Sequence, residues 1–258
     1  MKKQLFTLFV ALATTIVSCS DDNDPKPNQP SKLLAKVTET RAGQNTVYTT
    51  TYDSQNRLTG FKNQNNTEST TFTYDANGNL TKLQAVEGEE STVFEITYNN
   101  GVPVSGKYTS TGDEIDAPVD LVYTVVQGLV TEISYKVGTN TVLKSKITYQ
   151  NGNVSKVESE DFTQEGEGDD ETYKFSTTYT YGTNKNAFPS ANFKYVIDPN
   201  LSVQFFSKNN VLTEKYDFPG TIMDKEYTNT YTFDAAGYPL TQAFGTGAEA
   251  TTLKFEYK

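Results

Sequence analysis

From residue 32 onward, apolar and polar residues alternate with a period of two. In Thr92–Tyr98, Phe94, Ile96 and Tyr98 alternate with Val93, Glu95 and Thr97. Leu143, Ile147 and Tyr149 alternate with Lys144, Lys146 and Thr148, and Leu253, Phe255 and Tyr257 with Thr252, Lys254 and Glu256. Successive side chains of a strand point to opposite faces of its sheet. The pattern therefore predicts strands with one aromatic-aliphatic face buried and one Thr, Lys and Glu face in water. No segment holds a helical period.

The strands recur at near-even intervals. Thr70–Leu83 reads TTFTYDANGNLTKL, and weaker copies follow along the chain. Aligned on the aromatic that ends each such run, the anchors are Tyr52, Tyr74, Tyr98, Tyr123, Tyr149, Tyr181, Phe206, Phe233 and Tyr257. Their spacings are 22, 24, 25, 26, 32, 25, 27 and 24 residues, a repeat signature. Polar turn residues follow the anchors, as in Asp75-Ala-Asn-Gly, Asn99-Asn-Gly and Gln150-Asn-Gly. Asn-Gly tolerates the positive φ of tight hairpins, and Asp or Asn hydrogen-bonds forward to the backbone. An aliphatic residue comes next: Leu58, Leu80, Val104, Val154, Leu212 or Leu240. A second type of turn lies between, at Gln64–Glu68, Glu87–Glu90, Thr111–Asp113, Gly138–Asn140 and Gly245–Ala248.

The fold class is therefore all-β. The expectation is one domain over 32–258, a long antiparallel meander of about 18 strands built from hairpin repeats of about 24–26 residues. The sheet is rolled or flattened into a barrel-like form. Its charged face could not sit in lipid, which argues against a membrane-spanning barrel. A round barrel of that many strands would leave a lumen too wide for side chains to fill. The sheet must either flatten onto itself or wrap something.

The Tyr-Asp…Gly…Leu-Thr pattern resembles the YD repeat of large Rhs-type toxins. With the acidic tether described below, the chain also resembles a Bacteroidota family of surface lipoproteins of unknown function with a porin-like fold. The resemblance implies a many-stranded antiparallel sheet and a surface or outer-membrane location, and it brings no catalytic residues. The repeat departs from its pattern at Tyr123, Tyr181 and Lys185–Pro199.

Residues 1–18, MKKQLFTLFVALATTIVS, have a basic start and an apolar stretch of export-signal length, too short to span a bilayer. Ile16-Val17-Ser18-Cys19 resembles a bacterial lipobox, in which Cys19 would be acylated and become the first residue. Each buried acyl methylene adds about 0.8 kcal/mol of attachment. Residues 19–31 are acidic and Pro-rich with almost nothing apolar, and read as a disordered tether. Its opening Ser20-Asp21-Asp22 resembles the export tag of Bacteroidota surface lipoproteins. The expected location is the outer membrane, lipid-anchored and facing the cell exterior.

The formal charge is −10, and −12 without Lys2 and Lys3, so nucleic acid is not an expected partner. There is no His, which removes His-based triads and zinc sites, and no phosphate-binding Gly-rich loop. A carboxylate-only hydrolase would need two acids about 5–9.5 Å apart, a pair that the sequence does not single out. The chain reads as a non-enzyme with no cofactor. Glu158–Glu171 carries clustered acids, among them Glu165, Glu167, Asp169 and Asp170. Such acids suit Ca²⁺ in principle, but EF-hand spacing is absent and a solvated loop is the simpler reading.

Off-register aromatics, Phe188, Phe193, Phe205 and Phe218, are the candidate ligand contacts, because they lie in the irregular stretch 187–224 with three prolines. The leading function is a non-catalytic binding module with glycan as ligand. The alternatives are a structural spacer or shell in a surface assembly, with a surface protein as partner, and a carrier of an apolar molecule.

Overall fold

The computed structural model describes residues 32–111, 118–163, 172–188, 194–199, 203–247 and 250–258. Cys19, Phe193 and the acids Glu165, Glu167, Asp169 and Asp170 lie outside the described residues. Seventeen strands form one sheet. They are β1 (Leu34–Arg41), β2 (Gln44–Tyr52), β3 (Leu58–Asn63), β4 (Glu68–Tyr74), β5 (Leu80–Glu87), β6 (Glu90–Asn99), β7 (Val102–Thr111), β8 (Val119–Val126) and β9 (Leu129–Val137). They continue with β10 (Asn140–Gln150), β11 (Asn153–Asp161), β12 (Tyr173–Lys185), β13 (Asn209–Asp217), β14 (Lys225–Thr228), β15 (Thr230–Phe233), β16 (Pro239–Phe244) and β17 (Thr251–Tyr257). A single helical turn, α1 (Val203–Phe206), precedes β13.

Every consecutive pair from β1 to β14 is antiparallel, as are β15 with β16 and β16 with β17. β1 also pairs with β17, Val37 opposite Phe255, which rolls the meander into a nearly closed barrel. The remaining junction is β14 to β15, joined by Asn229 alone. Asn229 donates its backbone N–H to the Leu212 carbonyl at 2.6 Å, while its side chain accepts from the buried Gln242 amide. One extended segment thus passes from the side of β13 to the side of β16.

Inward positions carry the core, including Val37, Phe61, Leu83, Phe94, Ile133, Ile147, Val157 and Phe255. Outward positions carry charge in cross-strand register. Lys82 faces Glu95, Glu95 faces Lys107, Lys107 faces Asp120, and Asp120 faces Lys136. Glu132, Lys146 and Glu158 continue the alternation. Opposite charges directly across a ladder attract weakly at an exposed surface. In hydrocarbon each would cost a few kcal/mol, so this exterior is built for water.

The repeat motif has a local physical cause at each position. At the first type of turn, Asp75 Oδ1 accepts the N–H groups of Asn77 and Asn79 at 2.9 and 2.8 Å. Asp53 and Asp234 accept from their own second and fourth following residues in the same way. Asn100-Gly101 and Asn151-Gly152 take positive φ throughout, as two-residue hairpins require.

After each such turn the ladder skips a residue, a β-bulge. The bulge takes one carbonyl out of the ladder, and a tyrosine supplies its donor. Tyr74 Oη donates to the Leu58 carbonyl (2.8 Å), Tyr98 to Leu80 (2.8 Å), Tyr149 to Val130 (2.8 Å) and Tyr181 to Val154 (2.6 Å). Tyr52 with Leu34 and Tyr231 with Val211 repeat the bond. Burial raises the pKa of the Tyr74, Tyr98, Tyr149, Tyr181 and Tyr231 phenols far above normal, so they remain hydrogen-bond donors at any physiological pH. The ring fills the core and the hydroxyl satisfies a buried carbonyl, which is why the position is Tyr more often than Phe.

Several sequence expectations shift. The bulge opposite Val130 lies at Val125, two residues past Tyr123. Of the aliphatic residues that follow the turns, Val104, Leu212 and Leu240 are not the ones paired across the bulge, which are Pro103, Val211 and Pro239. Val104 and Leu240 are instead 39% and 41% exposed. Phe206 ends no strand and lies in α1. The strand expected there does not form, because the chain between β12 and β13 leaves the sheet.

Candidate functional site

The barrel has two unlike ends. The first type of turn, the start of β1 and the entry to the stretch between β12 and β13 share one end. The second type of turn marks the other.

At the first end, residues between β12 and β13 enter the barrel. Ala187, Phe188, Tyr195, Val196, Ile197, Val203 and Phe205 are all buried. Phe188 meets Phe61 edge-on (5.9 Å) and Phe205 (4.7 Å), while Phe205 meets Phe72 (5.8 Å). Tyr195 packs on Tyr98. Tyr123 Oη, the hydroxyl that departs from the bulge pattern, donates to the Ile197 carbonyl at 3.1 Å, and Tyr135 Oη to Asp198 Oδ2 at 2.6 Å. The sheet wraps a plug made of its own chain. The three irregular places of the repeat belong together: the plug leaves beyond Tyr181, runs through the stretch from Lys185 and docks at Tyr123.

Polar side chains hold the neck of the plug. Asn186 Nδ2 donates to the Ser207 carbonyl, Ser207 Oγ contacts Tyr181 Oη, and Asn153 Oδ1 accepts from the N–H groups of Lys208 and Asn209.

Phe188 and Phe205, expected as ligand contacts, are therefore plug residues only 4% and 7% exposed. They present no face to solvent. Phe218 lies elsewhere, at the second end. It stacks on Phe175 (5.4 Å, 25°) and on Tyr216 (6.2 Å, 7°). Phe175 stacks on Tyr173 (6.0 Å), and Tyr216 meets Tyr227 edge-on (5.8 Å). These rings come from the start of β12, the end of β13, the start of β14 and the loop between the last two. All are half-buried. The loop is tied down by the Phe218 N–H bond to Asp224 Oδ1 (2.7 Å) and by Thr221 Oγ1 donating to the Phe218 carbonyl (2.8 Å).

Glu214 lies one inward position below Tyr216 and opposite Tyr227 and Tyr179 in register. Only 6% of it is exposed. Tyr216 Oη donates to Glu214 Oε2 at 3.1 Å. Burial pushes the Glu214 carboxyl up to about 7, partly opposed by that bond. A second group of acids, Glu39, Glu68 and Glu87, occupies inward positions of β1, β4 and β5 toward the same end. Tyr48 Oη donates to Glu68 Oε2 at 2.6 Å, and burial followed by the charge of Glu68 raises the Glu39 carboxyl.

Chemically, the second end offers flat half-exposed rings and carboxylates, with Arg41 and Lys225 as nearby cations. Rings of this kind stack on the C–H faces of sugars, and carboxylates accept from hydroxyls. Among the described residues no cluster of His, Cys, Asp and Glu is arranged to hold a metal. The sequence reading missed Tyr173, Phe175, Tyr216, Tyr227 and Glu214 because their alternation reads as core. The available signal was Glu214 itself, an acid in the same parity row as Tyr216 and Phe218.

Residues 52–90 match the family model of the RHS repeat. No curated protein matches the chain. Two solved structures are similar. One is a porin-like protein from Bacteroides vulgatus ATCC 8482 (14% identity, TM-score 0.55, 88% of this chain and 99% of that one). The other is a porin-like protein from Bacteroides uniformis ATCC 8492 (13% identity, TM-score 0.51, 89% of this chain and 98% of that one). At this identity the likeness is one of fold: an RHS-type hairpin repeat rolled into the same barrel shape as these porin-like proteins.

Proposed function

We infer that the protein is a lipid-anchored, outwardly displayed module of the outer membrane that binds carbohydrate without catalysis. The observation that carries this reading is the run of half-exposed rings, Tyr173, Phe175, Phe218, Tyr216 and Tyr227, on a rigid barrel end. Offset rings on a preformed scaffold lose little entropy when a flat apolar ligand face arrives. The chain enters β1 at the plugged end, so a tether from Cys19 would leave the ring end pointing away from the membrane.

The carrier alternative is weakened because buried plug residues, among them Phe188, Ile197 and Phe205, occupy the interior at the first end. The spacer alternative draws on Ile222 and Met223, large apolar side chains exposed at the tip of the loop beside the rings. Affinity electrophoresis through gels containing neutral polysaccharides separates these readings. Binding that disappears in Phe218→Ala and Phe175→Ala supports the ring end as the site. Binding unchanged in both variants, with folding intact, refutes it.

A further inference from the structure

Glu214 is a buried acid that neither the repeat nor the core requires. The positions that follow it in its row, Tyr216 and Phe218, carry rings, and the groups around it are tyrosines. Tyr179 and Tyr181 come from β12, Tyr216 from its own strand, Tyr227 from β14 and Tyr231 from β15. Burial and the Tyr216 bond are what act on its charge. Tyr216 in turn lies 7° from parallel with Phe218. A single hydroxyl thus joins the acid to the ring platform.

We propose that Glu214 is the positioning residue of the platform: by accepting from the Tyr216 hydroxyl it holds that ring parallel to Phe218 and sets the surface on which a neutral sugar stacks. This rests on the carbohydrate reading for the ligand, but not for the positioning itself. A neutral ligand is favoured because Glu39, Glu68, Glu87 and Glu214 all point into this end of an acidic protein and repel uronic or sulfated polymers.

An ionised carboxylate accepts a phenolic hydrogen bond more strongly than a protonated one. With the carboxyl near 7, the ring is held firmly above neutrality and released as pH falls through that value. The chain has no histidine, so the usual source of a transition near pH 7 is absent.

The test is a near-ultraviolet circular dichroism titration from pH 5.5 to 8.5, paired with affinity electrophoresis in laminarin, xylan and galactomannan at both extremes. The wild type should show an aromatic transition with a midpoint near 7 and tighter binding at the alkaline end. Glu214→Gln and Tyr216→Phe, each with an intact far-ultraviolet spectrum, should lose the transition and the pH dependence. A flat wild-type titration overturns the proposal without any variant. A transition that survives in Tyr216→Phe overturns it too. Should the transition behave as expected while none of the three glycans retards the protein, positioning stands and the carbohydrate reading fails. Glycan binding lost in Phe218→Ala but unchanged in strength and pH profile in Glu214→Gln leaves the site and removes the role of Glu214.

Discussion

The hairpins β2 to β6 and the stretch between β12 and β13 answer the same packing problem in opposite ways. In the hairpins every residue has a repeated job: Asp caps the turn, the bulge admits one residue, and Tyr donates to the freed carbonyl of the preceding hairpin. The stretch between β12 and β13 has no repeated geometry, and it fills the space that the hairpins cannot reach. A barrel of this many strands is too wide for its own side chains. Regular repeats make the wall, and one irregular insertion packs against it from within.

The largest expected effect comes from removing the insertion. Replacing residues 187–206 with a short Gly-Ser turn should abolish cooperative unfolding in denaturant, because Phe61, Phe72 and Tyr98 lose their plug contacts together. A normal two-state melt of that variant would mean that the wall stands alone. Within the plug, Phe188→Ala should cost about 3–5 kcal/mol, as for other buried Phe truncations, read from urea midpoints.

Glu214→Gln probes the ring-bearing end, and its sign depends on pH. Burial raises the native carboxyl from 4.5 to about 7, so folding takes up a proton between those values. That contribution is complete below about 4.5 and is lost as pH rises through about 7. The glutamine cannot ionise and does not lose it. The variant should therefore gain on the wild type across this window, by about 3 kcal/mol at pH 8 from a shift of this size. Equal gains at pH 4 and pH 8 would contradict the assignment.

The smallest effects compare tyrosines. Tyr74→Phe or Tyr149→Phe strands a buried carbonyl and should cost about 1–3 kcal/mol. Tyr257→Phe should be within about 0.5 kcal/mol of wild type, because the buried Tyr257 hydroxyl has no hydrogen-bond partner among the described residues. Equal losses at all three would show that ring packing, and not the hydroxyl bond, sets the position.

Much of the wall is legible in sequence because its rules are local. Alternation identifies the inward face of Thr92–Tyr98, and Asp75 followed by Asn77-Gly78 identifies its turn. The bulge is not legible, since one skipped residue leaves the spacing of anchors unchanged. It buries Pro103 and Pro239 and leaves the aliphatic neighbours Val104 and Leu240 exposed. The plug is legible only as a gap in the repeat. What it touches depends on partners such as Phe61 and Tyr135, more than 60 residues away in the chain. Phe188 and Phe205 read as off-register rings, and nothing local says whether such a ring turns outward to a ligand or inward to a lumen.

Leu33 and Lys258 exchange two backbone hydrogen bonds beside the β1–β17 ladder. Residues more than 200 positions apart must meet before the wall is continuous. Until then β1 offers an unsatisfied edge, the kind of template on which chains stack into aggregates. Pairings this distant form slowly, because the entropy of loop closure precedes any reward. The interval between the emergence of β1 and its pairing with β17 is therefore the stage at which this architecture is most exposed, and a chaperone that shields the first strand would protect it most.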